Sequence, residues 1–141
     1  MHPVEHLRAR VDESLANAHL HASRLEDDAW GFSRGASRGL LLLANHGERP
    51  EDAVVAVRVP LMRVPPGREA EFALALLEAN VELGGIVAFG VENGVAQVVG
   101  ARMVADSEDR ALAGLAVLAA GAADAFRGRL LDEFGRDLAV Q

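Results

Sequence analysis

The stretch REAEFALALLEANVELGGIVAFGVENGVAQVVGARM, residues 68–103, decides the fold of this chain. Its first half predicts a helix from Arg68 to Leu83 with apolar residues on two sides. One side holds Phe72, Leu76, Ala79 and Leu83, and the other holds Ala70, Leu77 and Val81. Helices of soluble domains usually bury one stripe. The second side is therefore covered either by elements of the same chain or, as we prefer, by a second copy of it.

The second half of the stretch predicts a hairpin. Gly84-Gly85 ends the helix, and Asn93-Gly94 is a two-residue turn between strands Ile86–Glu92 and Val95–Val104. This turn pairs Phe89 with Val98 and Val91 with Ala96. The opposite face is small and scarcely polar, with Ile86, Ala88, Gly90, Gln97, Val99, Ala101 and Met103. Antiparallel sheets usually expose one polar face to water. We therefore interpret this apolar face as an interaction surface rather than one covered by a further layer.

A helix and three strands are predicted before residue 68. The helix begins near Pro3 and carries an apolar stripe of Val4, Leu7, Val11, Leu15, Ala18, Ala22 and Leu25, after which Glu26-Asp27-Asp28 follow. The strands are Trp30–Arg34, Leu40–Asn45 and Ala53–Val64. In the third strand, Val55, Val57, Val59 and Leu61 share one face, and Val54, Arg58 and Met62 the other. Pro60 removes a ladder donor and predicts an edge position or a bulge.

A last helix is capped by Asp106 or Ser107 and is predicted to reach about Leu138. Its core stripe is Leu112, Leu115, Ala119, Ala122, Phe126, Leu130 and Phe134. The element order α-βββ-α-ββ-α predicts one α+β domain over residues 1–141, with a five-stranded, mostly antiparallel sheet and helices packed on it. Gly114, Gly121, Gly128 and Gly135 recur opposite the core stripe, and are interpreted either as tolerated solvent-facing glycines or as a shallow groove.

The amino-acid composition excludes or disfavours several classes of function. The 141 residues include no cysteine, and the 14 basic side chains other than histidine are all arginine. Thiol chemistry, disulfides and Schiff-base lysines are thereby excluded. The net charge of −7 disfavours nucleic acid, and the apolar runs are too short for a membrane span. These features predict a cytoplasmic protein, although the arginine surplus of residues 29–68 could attract an acidic peptide.

No residues gather into a convincing catalytic, cofactor or metal site. His2 and His6 stand four apart on the first helix and could share a metal, but a third ligand is missing. His19, His21 and His46 are scattered, and no serine has a nucleophile-elbow context. Asn80 is more simply an end-of-helix residue that satisfies backbone groups than a ligand-binding amide. We therefore expect no enzyme, no cofactor and no bound metal.

The segment Leu76-Leu77-Glu78-Ala79-Asn80, followed by Gly84-Gly85 and Ala88-Phe89-Gly90-Val91, resembles the YbjN family and the type III secretion (Tir-type) chaperones. The resemblance extends over roughly residues 1–138 in element order. It implies a small acidic bacterial homodimer that binds extended segments of client proteins and has no active site. A small-molecule sensor and a purely structural dimerisation module are the alternatives.

Two sets of site residues follow. The expected dimer interface comprises Leu77, Val81, Ile86, Ala88 and Val99. The expected peptide-binding surface comprises Val4, Leu7, Val11, Trp30, Arg34, Arg58 and Met62. Trp30 and Phe32 are two apart on one strand face and are either core residues or an aromatic contact for the peptide. Arg34, Arg58 and Arg63 could pair with carboxylates of an acidic-apolar client.

Overall fold

A computed structural model describes residues 3–45 and 49–140. Three helices and six strands are present there, with two short 3₁₀ turns at Pro50–Asp52 and Arg136–Leu138. In chain order the elements are α1 (Pro3–Asn17), β1 (His21–Glu26), β2 (Ala29–Arg34), β3 (Ser37–Ala44), β4 (Val54–Arg63), α2 (Glu69–Leu83), β5 (Val87–Glu92), β6 (Val95–Met103) and α3 (Asp109–Phe134).

All six strands form one antiparallel sheet in the order β1-β2-β3-β4-β6-β5. The helices pack on one face, where α3 contacts β2, β3, β4, β5 and β6, α1 packs against α3, and α2 lies beside β5. The predicted α+β class is therefore confirmed. The sheet has six strands rather than the predicted five.

The additional strand corrects the prediction for the first helix. That helix ends at Asn17 instead of continuing to Leu25, and His21–Glu26 forms β1 beside β2. Arg24 of β1 lies over the Trp30 ring, 5.5 Å from its centroid, and pairs with Asp12 at 3.6 Å. The Asp27-Asp28 segment, which we expected to follow a helix, turns the chain from β1 into β2. Strand pairing outweighs a helical pattern that rested on alanines in this stretch.

A β-bulge in β4 accounts for a second correction. Pro60 pairs with Gln97 and Met62 with Ala96, so Leu61 is an extra residue between them. The predicted bulge is confirmed, and β4 is an interior strand rather than an edge. Beyond the bulge the alternation is broken, and Leu61 and Met62 are both fully buried. Met62 therefore belongs to the core and is not available as a peptide-binding residue.

The central stretch of the chain folds as its sequence predicts. Phe72, Leu76 and Ala79 are buried on one side of α2, and the helix ends at Gly84 in the left-handed region. Asn93 and Gly94 both have positive φ, as a type I′ turn requires. The predicted pairs Phe89–Val98 and Val91–Ala96 are present.

Helix α3 supplies much of the core. All seven residues of its predicted stripe are buried, and two of its aromatic rings make edge-to-face contacts with rings of other elements. These contacts are Phe126 with Phe89 at 5.2 Å and Phe134 with Phe72 at 5.0 Å. The helix ends at Phe134, earlier than predicted, because Gly135 has a φ of 136°. By length and composition α3 could cross a membrane, a test that core helices also pass, and half of its most apolar window is buried in the fold.

Candidate protein-binding surfaces

One face of the sheet carries no helix from residues 3–45 or 49–140. Strand register places Gly31, Leu40, Arg58, Val99 and Ala88 in one row across five strands. The rows beside it add Leu42, Ala56, Ala101, Val54 and Met103. We call these ten residues the bare face. A solvated antiparallel sheet normally presents polar side chains, so an apolar bare face is typical of a surface that another molecule covers.

Arg58 is the one charged residue among these ten, and its charge is already paired. Arg38 and Glu92 lie on the same side of the sheet, next to these rows. Arg58 bonds Glu92 of β5 at 2.8 Å across the intervening strand. Arg63 likewise donates to the carbonyl oxygen of Asp137 at 2.6 Å. A client carboxylate would have to displace these partners, which makes Arg58 and Arg63 weaker anchors than the sequence indicates. Arg34 is exposed, and no partner of its side chain lies in the described residues.

The outer side of α2 is a second uncovered apolar surface. Leu77 is 65% exposed and Val81 is 83% exposed, and Leu74 lies beside them on the same side. Ile86 is also exposed, whereas Ala88 and Val99 are half-buried on the bare face. The five expected dimer residues therefore occupy two adjoining regions at the β5 end of the sheet, and all five are accessible in the protomer.

The expected peptide-binding residues do not form one surface. Val11, Trp30 and Met62 are buried in the protomer core, which corrects their assignment as peptide contacts. Trp30 is held there by a hydrogen bond from its indole N–H to Asp12 at 2.8 Å. Val4 and Leu7 are half-buried on α1, and the stripe of this helix packs on α3 rather than facing a client.

The two edges of the sheet differ in their covering. Glu92 and Val95 flank the two-residue turn and form a hydrogen-bonded pair, so Phe89 directs its backbone groups away from β6. Asn80 of α2 meets both groups: the Phe89 N–H donates to its side-chain oxygen at 2.6 Å, and its amide donates to the Phe89 carbonyl at 3.3 Å. The expectation that Asn80 satisfies backbone groups is confirmed, but these groups belong to β5 and not to the end of α2. The Asn80 carboxamide takes the place of a neighbouring strand at Phe89, the middle of the three β5 residues (Val87, Phe89 and Val91) whose backbone groups point away from β6.

The β1 edge carries no such covering. Arg34 and Ser37 flank the two-residue β2–β3 turn, so Gly31 and Ser33 bond toward β1. Their partners in β1 are Ser23 and His21, which leaves the backbone groups of Ala22 and Arg24 directed outward. Within residues 3–45 and 49–140 no hydrogen bond meets those outward groups. All six side chains of β1 are exposed, so this edge can accept another strand.

A carboxylate joins the β2–β3 turn to α3. Asp124 accepts hydrogen bonds from the Ser37 hydroxyl at 2.7 Å and from Arg127 at 2.8 Å. Gly35 in this turn has a φ of 60°, and a Cβ there would collide with the carboxylate. Burial raises the pKa of Asp124, but the hydrogen bonds from Ser37, Arg127 and the Ala36 N–H together outweigh it and lower that pKa below its ordinary value.

The other residues singled out in the sequence form no chemical site in the described part of the chain. No group of three or more potential metal ligands is found there, and His2 and His46 lie outside the described residues. The absence of an active site and of a metal remains a prediction. A Cβ at Gly114, Gly121 or Gly128 would meet open space. Gly135 ends α3 instead of continuing that row.

Comparison with known proteins supports the fold. No family model and no curated relative matches the chain. A chain from the crystal structure of the ExsC–ExsE complex is similar over 92% of this chain and 97% of its own length, with a TM-score of 0.66 and 12% sequence identity. The likeness shows that the two chains share a fold. The likeness does not extend to the YbjN family specifically.

Proposed function

We propose that this protein is a non-catalytic, cytoplasmic bacterial chaperone or adaptor that binds an extended segment of a client protein. The observation that carries the proposal is the bare face, a wide apolar sheet surface that no element of the described chain covers. The fold shared with a chain of the ExsC–ExsE complex, an assembly of two proteins, supports the same function. Burial of apolar surface would supply most of the affinity.

A client segment enters as a strand added to β1. Its main chain meets the outward backbone groups of Ala22 and Arg24, and its side chains reach from the edge toward the bare face through Leu25, which is 58% exposed and lies against Gly31. Strand addition takes its hydrogen bonds from the main chain and therefore accepts varied client sequences. At the β5 edge Asn80 occupies the groups of Phe89 that a client strand would need.

The client test uses affinity capture from the native host followed by reconstitution with the purified partner. Leu40, 39% exposed on the bare face, is changed to Glu, and Ala125, exposed on α3 and remote from that face, gives the matched control Ala125→Glu. The wild type and Ala125→Glu bind the client, while Leu40→Glu loses at least about tenfold in affinity. Equal binding by all three proteins, or no client at all, contradicts the proposal. A dimer that binds no client would indicate a structural dimerisation module. A metabolite that copurifies with the protein would indicate a small-molecule sensor.

The homodimer forms through the outer side of α2 and the β5 end of the bare face. This proposal rests on the exposure of Leu77, Val81 and Ile86 together with the accessible Ala88 and Val99. The double variant Leu77→Glu/Val81→Glu should be a monomer with unchanged circular dichroism, because both side chains point away from the protomer core. Light scattering at micromolar concentration measures the mass. A wild-type mass of one chain refutes the dimer, and Leu118→Glu is the control for an exposed apolar residue on a different helix.

A further inference from the structure

A groove of about 670 Å³ runs between α1 and the first half of α3. Its floor is apolar and small, with Ala18, Ala111, Gly114, Val117 and Leu118. Leu118 is 45% exposed, and a Cβ at Gly114 would meet open space. The bare face lies on the other side of the sheet from these helices, so the groove is separate from the surface on which the proposed function rests.

The groove is held open by a fixed contact between its two helices. The Ser14 side chain is 4% exposed. Its hydroxyl accepts a hydrogen bond from the Ala113 N–H at 2.9 Å and donates one to the carbonyl oxygen of Asp109. Arg10 adds an ion pair to the Asp109 carboxylate at 2.7 Å. These bonds fix the spacing of α1 and α3, so a ligand entering the groove does not have to order the helices first.

Unpaired arginines distinguish this groove. Most arginines of the described chain have an ion pair or hydrogen bond, and the three whose side chains have neither are Arg34, Arg38 and Arg102. Two of these, Arg34 and Arg102, line the groove. Of the other lining charges, Asp109 is paired with Arg10 and Arg110 with Glu108. Glu13 is the one acidic lining residue that has no ion pair within the described chain, so the two unpaired arginines outnumber it and favour an anionic ligand.

The two arginines stand toward opposite ends of the groove. Arg102 belongs to the end of β6 that leads into α3. Arg34 pairs with Ser37, whose hydroxyl contacts the Ala120 carbonyl further along the helix. The α3 segment between these ends, residues 109–118, is about 15 Å long at 1.5 Å per residue. A short helix with carboxylates near both ends and an apolar face between them has this length and charge pattern.

We infer that the α1–α3 groove binds an acidic amphipathic helix of a client protein, with its apolar face on Gly114 and Leu118 and its carboxylates on Arg34 and Arg102. The inference deepens the proposed function by adding a second, chemically distinct contact for the client. Helix-in-groove binding uses apolar anchors at successive helical turns. Gly114 lets the backbone of the bound helix approach α3 closely, because no side chain stands between them.

The test uses a fluorescein-labelled, stapled peptide of about twelve residues, long enough to span the groove, with leucines along one face and glutamates in the first and last turns. Fluorescence anisotropy measures its dissociation constant, and a peptide with lysine in place of glutamate is the charge control. The full-length wild type should bind the acidic peptide at least about tenfold more tightly than the basic one. No binding of the acidic peptide, or equal binding of both, overturns the inference.

Matched variants locate the site. Arg34→Glu/Arg102→Glu and Gly114→Leu should each weaken binding by at least about tenfold. Arg38→Glu, on the bare-face side of the sheet, and Gly128→Leu, at a glycine equally open to solvent, should leave it unchanged. Both leucine substitutions favour the helix, so a loss confined to Gly114→Leu reports filling of the groove. A similar loss in the Arg38→Glu or Gly128→Leu control overturns the assignment.

The same variants separate this inference from the proposed function. A host client that binds Gly114→Leu and Arg34→Glu/Arg102→Glu as tightly as the wild type overturns the groove as a client contact and leaves the chaperone function standing. Binding of the acidic peptide without any host client leaves the groove standing as a peptide site and contradicts the chaperone function.

Discussion

At the middle of the β5 edge a side chain of α2 meets the outward backbone groups, whereas within the described residues no group meets those of the β1 edge. At β5, a single carboxamide on Asn80 takes the place of the next strand, and the surrounding helix is fixed by Phe72 and Leu76 in the core. At β1, the outward groups of Ala22 and Arg24 are unmatched in the described chain. Unpaired edges invite strand addition. Because the Asn80 contact interrupts the β5 edge at Phe89, we expect an added strand to pair with β1 instead.

The largest expected effect is at the covered edge. Asn80→Ala removes both partners of Phe89 and leaves its N–H and carbonyl part-buried without hydrogen bonds. The free energy of unfolding should fall by about 1–3 kcal/mol, the cost of stranding such groups. Urea denaturation measures the change. The control is Glu78→Ala, at an exposed residue of the same helix, which should change stability by less than about 0.5 kcal/mol. Equal effects of the two variants would show that the hydrogen bonds between Asn80 and Phe89 do not contribute to stability.

The covered edge was largely predictable from the sequence, because its signals are local. The Asn93-Gly94 turn fixes the register of β5 and β6, and the positions of Phe72, Leu76 and Ala79 on one side of α2 follow from helical periodicity. The role of Asn80 was anticipated in kind, although its partner Phe89 depends on where α2 docks. The same periodicity identified the buried stripe of α3.

Strand β1 was missed because its formation depends on contacts between residues that are distant in the sequence. The spacing of Ala18, Ala22 and Leu25 continues the stripe of α1, and no residue in that stretch forbids a helix. The strand forms instead because β2 offers it a partner, and Arg24 reaches Trp30 and Asp12 from it. Met62 was assigned to the wrong face for a related reason. Pro60 indicates a bulge, but the sequence does not identify the additional residue in the strand. The surface assignments at Trp30 and Val11 failed because apolar periodicity does not distinguish core from client contact.

An intermediate effect is expected from prolines in β1. Ser23→Pro removes an N–H that bonds to β2, whereas Ala22→Pro removes one that points outward. Ser23→Pro should therefore be less stable than Ala22→Pro by about 1 kcal/mol, the net value of one hydrogen bond. Thermal or urea unfolding ranks the two variants.

The effect of Ala22→Pro should appear in client binding rather than in stability. Because Ala22→Pro keeps the β1–β2 pairing but lacks an outward donor, it should weaken the host client at a stability close to that of the wild type. Stronger binding by Ala22→Pro than by the wild type, or equal stability of the two proline variants, would place the outward groups on the other residues of β1.

The smallest expected effect concerns pH and distinguishes the two ends of the sheet. The β1 end is tied to α3 by the Asp124 carboxylate, whereas the β5 end is tied to α2 by a neutral amide. The hydrogen bonds that Asp124 accepts hold its folded-state pKa below the ordinary value of 3.8. Its contribution to stability is thus fully present above that value and is lost as pH falls through the lower pKa of the folded state.

Acid should loosen the β2–β3 turn before it affects the β5–β6 hairpin. Amide exchange in a pH series that descends from pH 6, in the wild type and in Asp124→Asn, measures the difference. In the wild type the protection of β2 and β3 should fall selectively at the acid end of the series, and in Asp124→Asn it should be low throughout. A uniform loss of protection across all six strands, or an Asp124→Asn profile that tracks the wild type, would show that the carboxylate does not anchor this end.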